Sequence, residues 1–256
     1  MSKSEQDFYK EFNNKLQNDA FKTTAPKKFW HKAEVQEDAS NFYILLDNRR
    51  LKTPQKKDVC LPNPAAAMQV VQEWQSQQDH IKPRSMPISR LVMTVIDQLQ
   101  EDENKRQNWL HTSIKFLETD LILFPSPSPK ELCLKEQHHW QPLLGWASAT
   151  LGHDIQPNQG LSIANQAPAI KKLSEKTDSY NIWQQAAFSL LTQSTGSAII
   201  AFAAAENHID VKKAQQAALI HEYYQQNQWG EDAELTAQIC NKEFEIAAFI
   251  NFLRNI

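Results

Sequence analysis

The spacing of apolar residues changes period along the chain. In residues 5–18, Phe8, Phe12 and Leu16 recur at every fourth position, which places them on one face of a short helix. A polar stretch follows and ends at Pro26. From Lys28 to Gln36 the period falls to two: Phe29, His31, Ala33 and Val35 alternate with Trp30, Lys32 and Glu34. Asn41 to Asp47 (NFYILLD) reads as a second strand, apolar on both sides and so expected to be covered on both. Asp47-Asn48 is a turn signal, Leu51 to Thr53 can return as a further strand, and Asp58 to Leu61 is another short extended piece before Pro62. Residues 27–62 therefore predict a small antiparallel sheet.

Beyond Pro62 the period lengthens to that of a helix. Pro64 can open a helix where its missing N–H costs nothing, and Ala67, Met68, Val71 and Trp74 form the apolar face. After a loop with Pro83 and Pro87, residues 88–100 predict a helix with Leu91, Val92, Val95, Ile96 and Leu99 on one side. Arg90, Thr94 and Asp97 fall on the other, a polar stripe expected to face outward. From about residue 103 no strand pattern recurs. Helices are predicted at 103–119, 130–151, 166–177, 181–206, 209–228 and 231–254, separated by proline and glycine punctuation. The fold class expected is α+β: an N-terminal helix and linker (1–26), a small antiparallel-sheet-plus-helix domain (27–104), then a larger all-α orthogonal bundle (105–256).

Composition narrows the function. The 256 residues include only five glycines, Gly145, Gly152, Gly160, Gly196 and Gly230, and no two are close together. Phosphate-cradling loops need clustered glycines so that backbone N–H groups can approach an anion, so nucleotide hydrolysis and dinucleotide binding are disfavoured. The net charge of −3 offers no general attraction to nucleic acid or anionic lipid. Its distribution is uneven: residues 1–60 carry 12 basic and 9 acidic side chains, residues 200–256 carry 4 and 8. Cys60, Cys133 and Cys240 are odd in number and widely spaced, which predicts buried free thiols in a reducing compartment. The longest apolar run, Ala198 to Ala205, is far short of the roughly 20 residues that span a bilayer. No membrane insertion is expected, and the N-terminus, with Glu5, Asp7 and Glu11, reads as a bacterial cytoplasmic one.

Few motifs carry chemistry. His221-Glu222 begins HEYYQ, but Gln225 stands where a zinc site needs its second histidine, so an exposed helix turn is the expectation. Adjacent His138 and His139 point about 100° apart on a helix and read as structural. No serine or cysteine lies in a recognisable nucleophile motif. Arg49-Arg50 with Lys52 reads as a charged hairpin edge, with an anion or partner site as the alternative. Glu231-Asp232-Ala233-Glu234, after Trp229-Gly230, has two readings: carboxylates meeting a helix dipole, or an acidic patch beside a tryptophan that contacts a partner. No catalytic residue, metal or cofactor is assigned. Candidate partner-binding residues are Trp229, Glu231, Asp232 and Glu234, with Arg90 and Asp97 from the polar stripe.

Several stretches taken together resemble one family. They are Lys28-Phe29-Trp30 with Leu46-Asp47, Leu51-Lys52-Thr53-Pro54, Glu73-Trp74 with Gln77, and Met86-Pro87-Ile88-Ser89-Arg90-Leu91 with Thr94, Ile96 and Asp97. Further on come Thr119-Asp120-Leu121, Trp140 with Pro142-Leu143-Leu144, Thr195-Gly196-Ser197, and Trp229-Gly230-Glu231-Asp232-Ala233-Glu234. In this order, over about residues 27–245, they look like the assembly chaperones of the ATP synthase F(1) sector that bind the alpha subunit, in mitochondria and alphaproteobacteria. The resemblance implies a non-enzymatic protein, without use of ATP, that keeps unassembled alpha subunit from aggregating until beta takes its place. It implies the same two-part fold and a functional acid near Glu231, Asp232 and Glu234, without choosing among them. Asn48, where glycine is usual, and His221, where an acid or apolar residue is commoner, depart from the pattern. A monomer is expected. The rival readings are a hydrolase with a dispersed site and a general peptide- or membrane-binding adaptor that uses the 5–18 helix.

Overall fold

The computed structural model describes residues 26–158, 165–230 and 232–256. The expected helix at 5–18, Gly160 and Glu231 lie outside the described residues. Contacts divide the chain into two compact units, Met1–Ile96 and Asp97–Ile256.

The first unit is built on an antiparallel sheet. β1 (Ala33–Asp38) pairs with β2 (Asn41–Leu46) from Ala33 opposite Leu46 to Asp38 opposite Asn41. β3 (Arg49–Arg50) and β4 (Cys60–Leu61) both pair with β2. Two-residue loops make the hairpins, Ala39-Ser40 and Asp47-Asn48, and all four residues have positive φ. This is the left-handed geometry that matches strand twist and usually draws glycine. The second loop is held by its own side chain. Asp47 accepts hydrogen bonds from the N–H groups of His31 and Lys32, which keeps its carboxyl below the usual range. Only the second half of β2, Ile44 to Leu46, is buried on both faces. α1 (Pro64–Ser76) opens with proline, is capped by Asn63, and packs on β1 and β2 through Trp74, whose ring meets Trp30 at 4.9 Å.

α2 (Pro87–Thr94) has no capping side chain of its own. Glu73 on α1 supplies the cap, accepting the N–H of Ile88 and of Ser89 at 2.7 Å each. The helix then widens into a π-helical turn at Val95–Leu99 rather than running regularly to residue 100. Lys57 donates to the carbonyl of Ile96, which helps satisfy the disturbed ladder.

In the second unit the described residues are helices, 3₁₀ turns and connecting segments. α3 (Glu103–Lys115) is followed by α4 (Lys130–Leu151), α5 (Ala167–Thr177), α6 (Ile182–Thr195) and α7 (Ala198–Ala205). α8 (Val211–Ala218), α9 (Ile220–Trp229) and α10 (Ala233–Asn255) complete it. Two predicted helices prove to be pairs. Residues 181–206 break at Gly196, whose φ of 68° ends α6, and Ser197 caps α7. Residues 209–228 break at Leu219. α7 is the apolar run Ala198 to Ala205, buried from Ala198 to Ala204, as expected of a helix apolar all round. Asp120, fully buried, accepts the N–H of Ile199 and of Ile122 and so ties the α7 start to the turn before it. α10 packs along α6.

Candidate partner-binding surface

Five of the seven tryptophans are buried, as core residues should be; Trp229 is 80% exposed. It is the last residue of α9, and Gly230, with φ of 85°, turns the chain toward α10. Asp232 is the α10 N-cap, accepting the N–H of Glu234 at 2.7 Å and of Leu235 at 2.9 Å. Glu234 lies in the first turn, exposed, and accepts from Gln238. The capping reading thus holds for Asp232, while Trp229 and Glu234 stand at the surface beside it. The helix pair behind this tip is braced. Gln226 donates to Thr236, Lys242 pairs with Glu222, and the Tyr223 hydroxyl donates to Glu243 at 2.6 Å. Burial, then Glu243, pushes the Tyr223 phenol above its ordinary range, so it stays a donor.

At its other end α9 is pinned to α4. His221 is not an exposed turn residue: its Nε2 lies 2.7 Å from Glu136, whose side chain is 1% exposed. Ser126 donates its hydroxyl to Glu136 at 2.6 Å and its N–H at 2.8 Å. Trp140 donates to the carbonyl of Ala217, just before α9, and meets the His221 ring edge-on. A serine, a histidine and a glutamate in contact invite a catalytic reading, but the geometry opposes it. The Ser126 hydroxyl donates its hydrogen bond to the carboxylate, and the imidazole nitrogen that would have to accept it is 3.5 Å away and faces Glu136. The three groups instead fasten the loop before α4, α4 and α9. A cleft of about 410 Å³ runs beside this joint from Pro129 and Leu132 past Tyr224 to Trp229.

Other expected features land elsewhere. The polar stripe of the 88–100 segment does not face outward as a whole: Thr94 is buried and Arg90 and Asp97 are half-buried. Arg50 pairs with Asp38 and Asp58 and lies over the Tyr43 ring, and Lys52 pairs with Asp58, so these cations serve the hairpin. His138 and His139 meet edge to face on α4. The thiols are less buried than expected, with Cys60 and Cys133 half-buried and Cys240 exposed. Among the described residues no three His, Cys, Asp or Glu side chains are grouped to hold a metal ion, and no helix is long and apolar enough to cross a membrane.

Glu136 was not singled out from the sequence, although a signal existed. It sits four residues after buried Leu132 and four before buried Trp140, a charge inside an apolar stripe.

Some of the stretches that carry the family resemblance meet in space or hold residues next to one another's. Glu73 caps Ile88 and Ser89, and Leu121 bonds to Gly196; Asp120 bonds to Ile199, just after the Thr195–Ser197 stretch, and Asp47 to His31 and Lys32, just after Trp30. Comparison with known proteins agrees. The family model for the ATP12 chaperone protein matches residues 27–148. The mitochondrial atp12 protein of Schizosaccharomyces pombe is 26% identical over 219 residues, 81% of this chain and 75% of that one. The crystal structure of the Atu1473 protein from Agrobacterium tumefaciens superposes with a TM-score of 0.80 at 30% identity, over 90% of this chain and 86% of that one. Atp12 from Paracoccus denitrificans, and an Asp-to-Lys mutant of it, each give a TM-score of 0.75 at 26% identity over 90% of this chain and 97% of theirs. The chain belongs to the ATP12 chaperone family.

Proposed function

We propose that this chaperone binds the unassembled alpha subunit of the ATP synthase F(1) sector and shields it from aggregation until the beta subunit replaces it. Family membership supports the reading. The observation that carries it is Trp229, 80% exposed at the end of a braced helix pair, with the exposed acids Asp232 and Glu234 following it in the chain. An exposed tryptophan with charged neighbours in sequence is the composition of a protein-binding hot spot. An unassembled subunit exposes the apolar interface its partner will cover, and such patches aggregate. A chaperone must cover that patch yet bind less tightly than the final partner, so that exchange runs forward. The role is non-enzymatic and needs no cofactor; the bacterial cytoplasm is its place of action. Arg90 and Asp97 belong to the same proposal as further contact residues. Co-expression with separately tagged alpha and beta subunits tests it. Alpha is expected to co-purify with this chain; recovery of beta alone, or of neither, overturns the reading.

A further inference from the structure

α4 contains a feature that its own packing does not require. Gly145 lies in the middle of this 22-residue helix, where glycine is among the poorest helix formers. Its φ is not left-handed, and an added Cβ meets nothing within 4 Å among the described residues. Neither backbone conformation nor close packing accounts for the missing side chain.

Gly145 continues an exposed ridge of α4 through Gln137 and Gln141, at intervals of four residues. Across from that ridge runs the segment Asp154–Pro157. Between them is a groove of about 470 Å³, with the edges of Ile122, Trp140 and Leu144 along its floor. A side chain at position 145 would stand in it. The charged residues lining the groove are Glu136 and Asp154, both acids, and no Lys, Arg or His lines it among the described residues. Glu136 is occupied by Ser126 and His221. Asp154 is exposed at the rim and accepts one hydrogen bond from Gln156, which leaves acceptor capacity on the carboxylate. Gln137 and Gln141 can pair with the N–H and C=O groups of a main chain.

The geometry points to a binding groove for an extended client segment that places a bulky apolar side chain over Gly145 and an adjacent lysine or arginine against Asp154. This rests on the reading of the chain as an alpha-subunit chaperone and assigns that client a second contact, apart from Trp229. The apolar floor recognises the side chain, the amides its backbone, and the acidic rim its charge.

Retention of F(1) alpha subunit on the tagged full-length chaperone tests the groove. Gly145→Phe fills it from an open helix position, and Asp154→Lys reverses its rim; each is expected to weaken retention about tenfold or more. Ala149→Phe, at an exposed α4 position that does not line the groove, adds the same bulk and retains alpha like the unmodified chain. Melting temperature is read in parallel, and Gly145→Phe is expected not to lower it. Retention unchanged in Gly145→Phe overturns the proposal. So does a lowered melting temperature with normal retention, which would mean that this chain fills its own groove. Loss of retention in Ala149→Phe equal to that in Gly145→Phe also overturns it. If the unmodified chain fails to retain alpha, the parent reading falls and the groove proposal falls with it.

Discussion

Glu73 and Asp120 are acids placed where apolar residues are expected, and each holds a helix start from outside that helix. Burial pushes Glu73 up to about 7 and Asp120 up to about 6, against the hydrogen bonds from backbone N–H groups that favour the charged form. A carboxyl whose pKa is higher in the folded state binds more protons there, so stability falls as pH rises from the unfolded value toward the folded one. For Glu73 that window runs from 4.5 to about 7. Each unit of displacement is worth about 1.4 kcal/mol, so the effect is on the order of 3 kcal/mol. Thermal unfolding followed from pH 4.5 to 7.5 is expected to show a shallower decline in Glu73→Gln than in the unmodified chain, with Asp120 supplying the remainder. An identical decline in both would show that Glu73 does not titrate in this window.

Helices begin where such groups meet N–H donors, and at this scale the prediction separates binding from folding. Asp232 caps α10, whereas Trp229 and Glu234 stand at its entrance. Asp232→Ala is expected to cost about 1 kcal/mol of stability through loss of the cap. Trp229→Ala and Glu234→Lys are expected to leave the melting temperature within a degree or two and to weaken alpha binding, read by thermal unfolding beside a binding isotherm. A melting temperature lowered by Glu234→Lys as much as by Asp232→Ala would return the whole cluster to a structural role. The sequence showed which segments are helices because periodicity reports a face, but it was weaker on where they break. Gly196 followed by Ser197 is a readable stop and start, although the apolar pattern ran through it. The break at Leu219 has no such residue, and its geometry comes from packing. The outward stripe on α2 failed because Thr94 is buried, and a polar residue on one side of a wheel does not say whether another element covers that side. Trp229 and the acids around it were legible as a group, but the cap was separable from the surface only once the N–H donors were placed. The His221–Glu136–Ser126 joint joins residues up to 95 apart in sequence, which no local pattern reports.

Across the whole molecule the family signature proves to be largely a signature of architecture. Its acids fasten helix starts and a hairpin, its glycines Gly196 and Gly230 end helices, and the surface proposed to bind a client is a smaller set placed on that frame. This explains how relatives at 26–30% identity keep one fold. It fits a chaperone in which the groups proposed to bind a client sit on a frame fixed by these buried contacts. The scarcity of glycine has the same origin. Even the two hairpin loops are made without it, and Gly145 stands out because nothing among the described residues requires it. The most direct measurement is light scattering from purified, unassembled alpha subunit warmed with and without this chain, followed by addition of beta. An equimolar amount is expected to suppress scattering, and beta is then expected to release the chaperone into free solution as alpha and beta assemble. Scattering unaffected by the chain, or a complex that beta cannot displace, would contradict it.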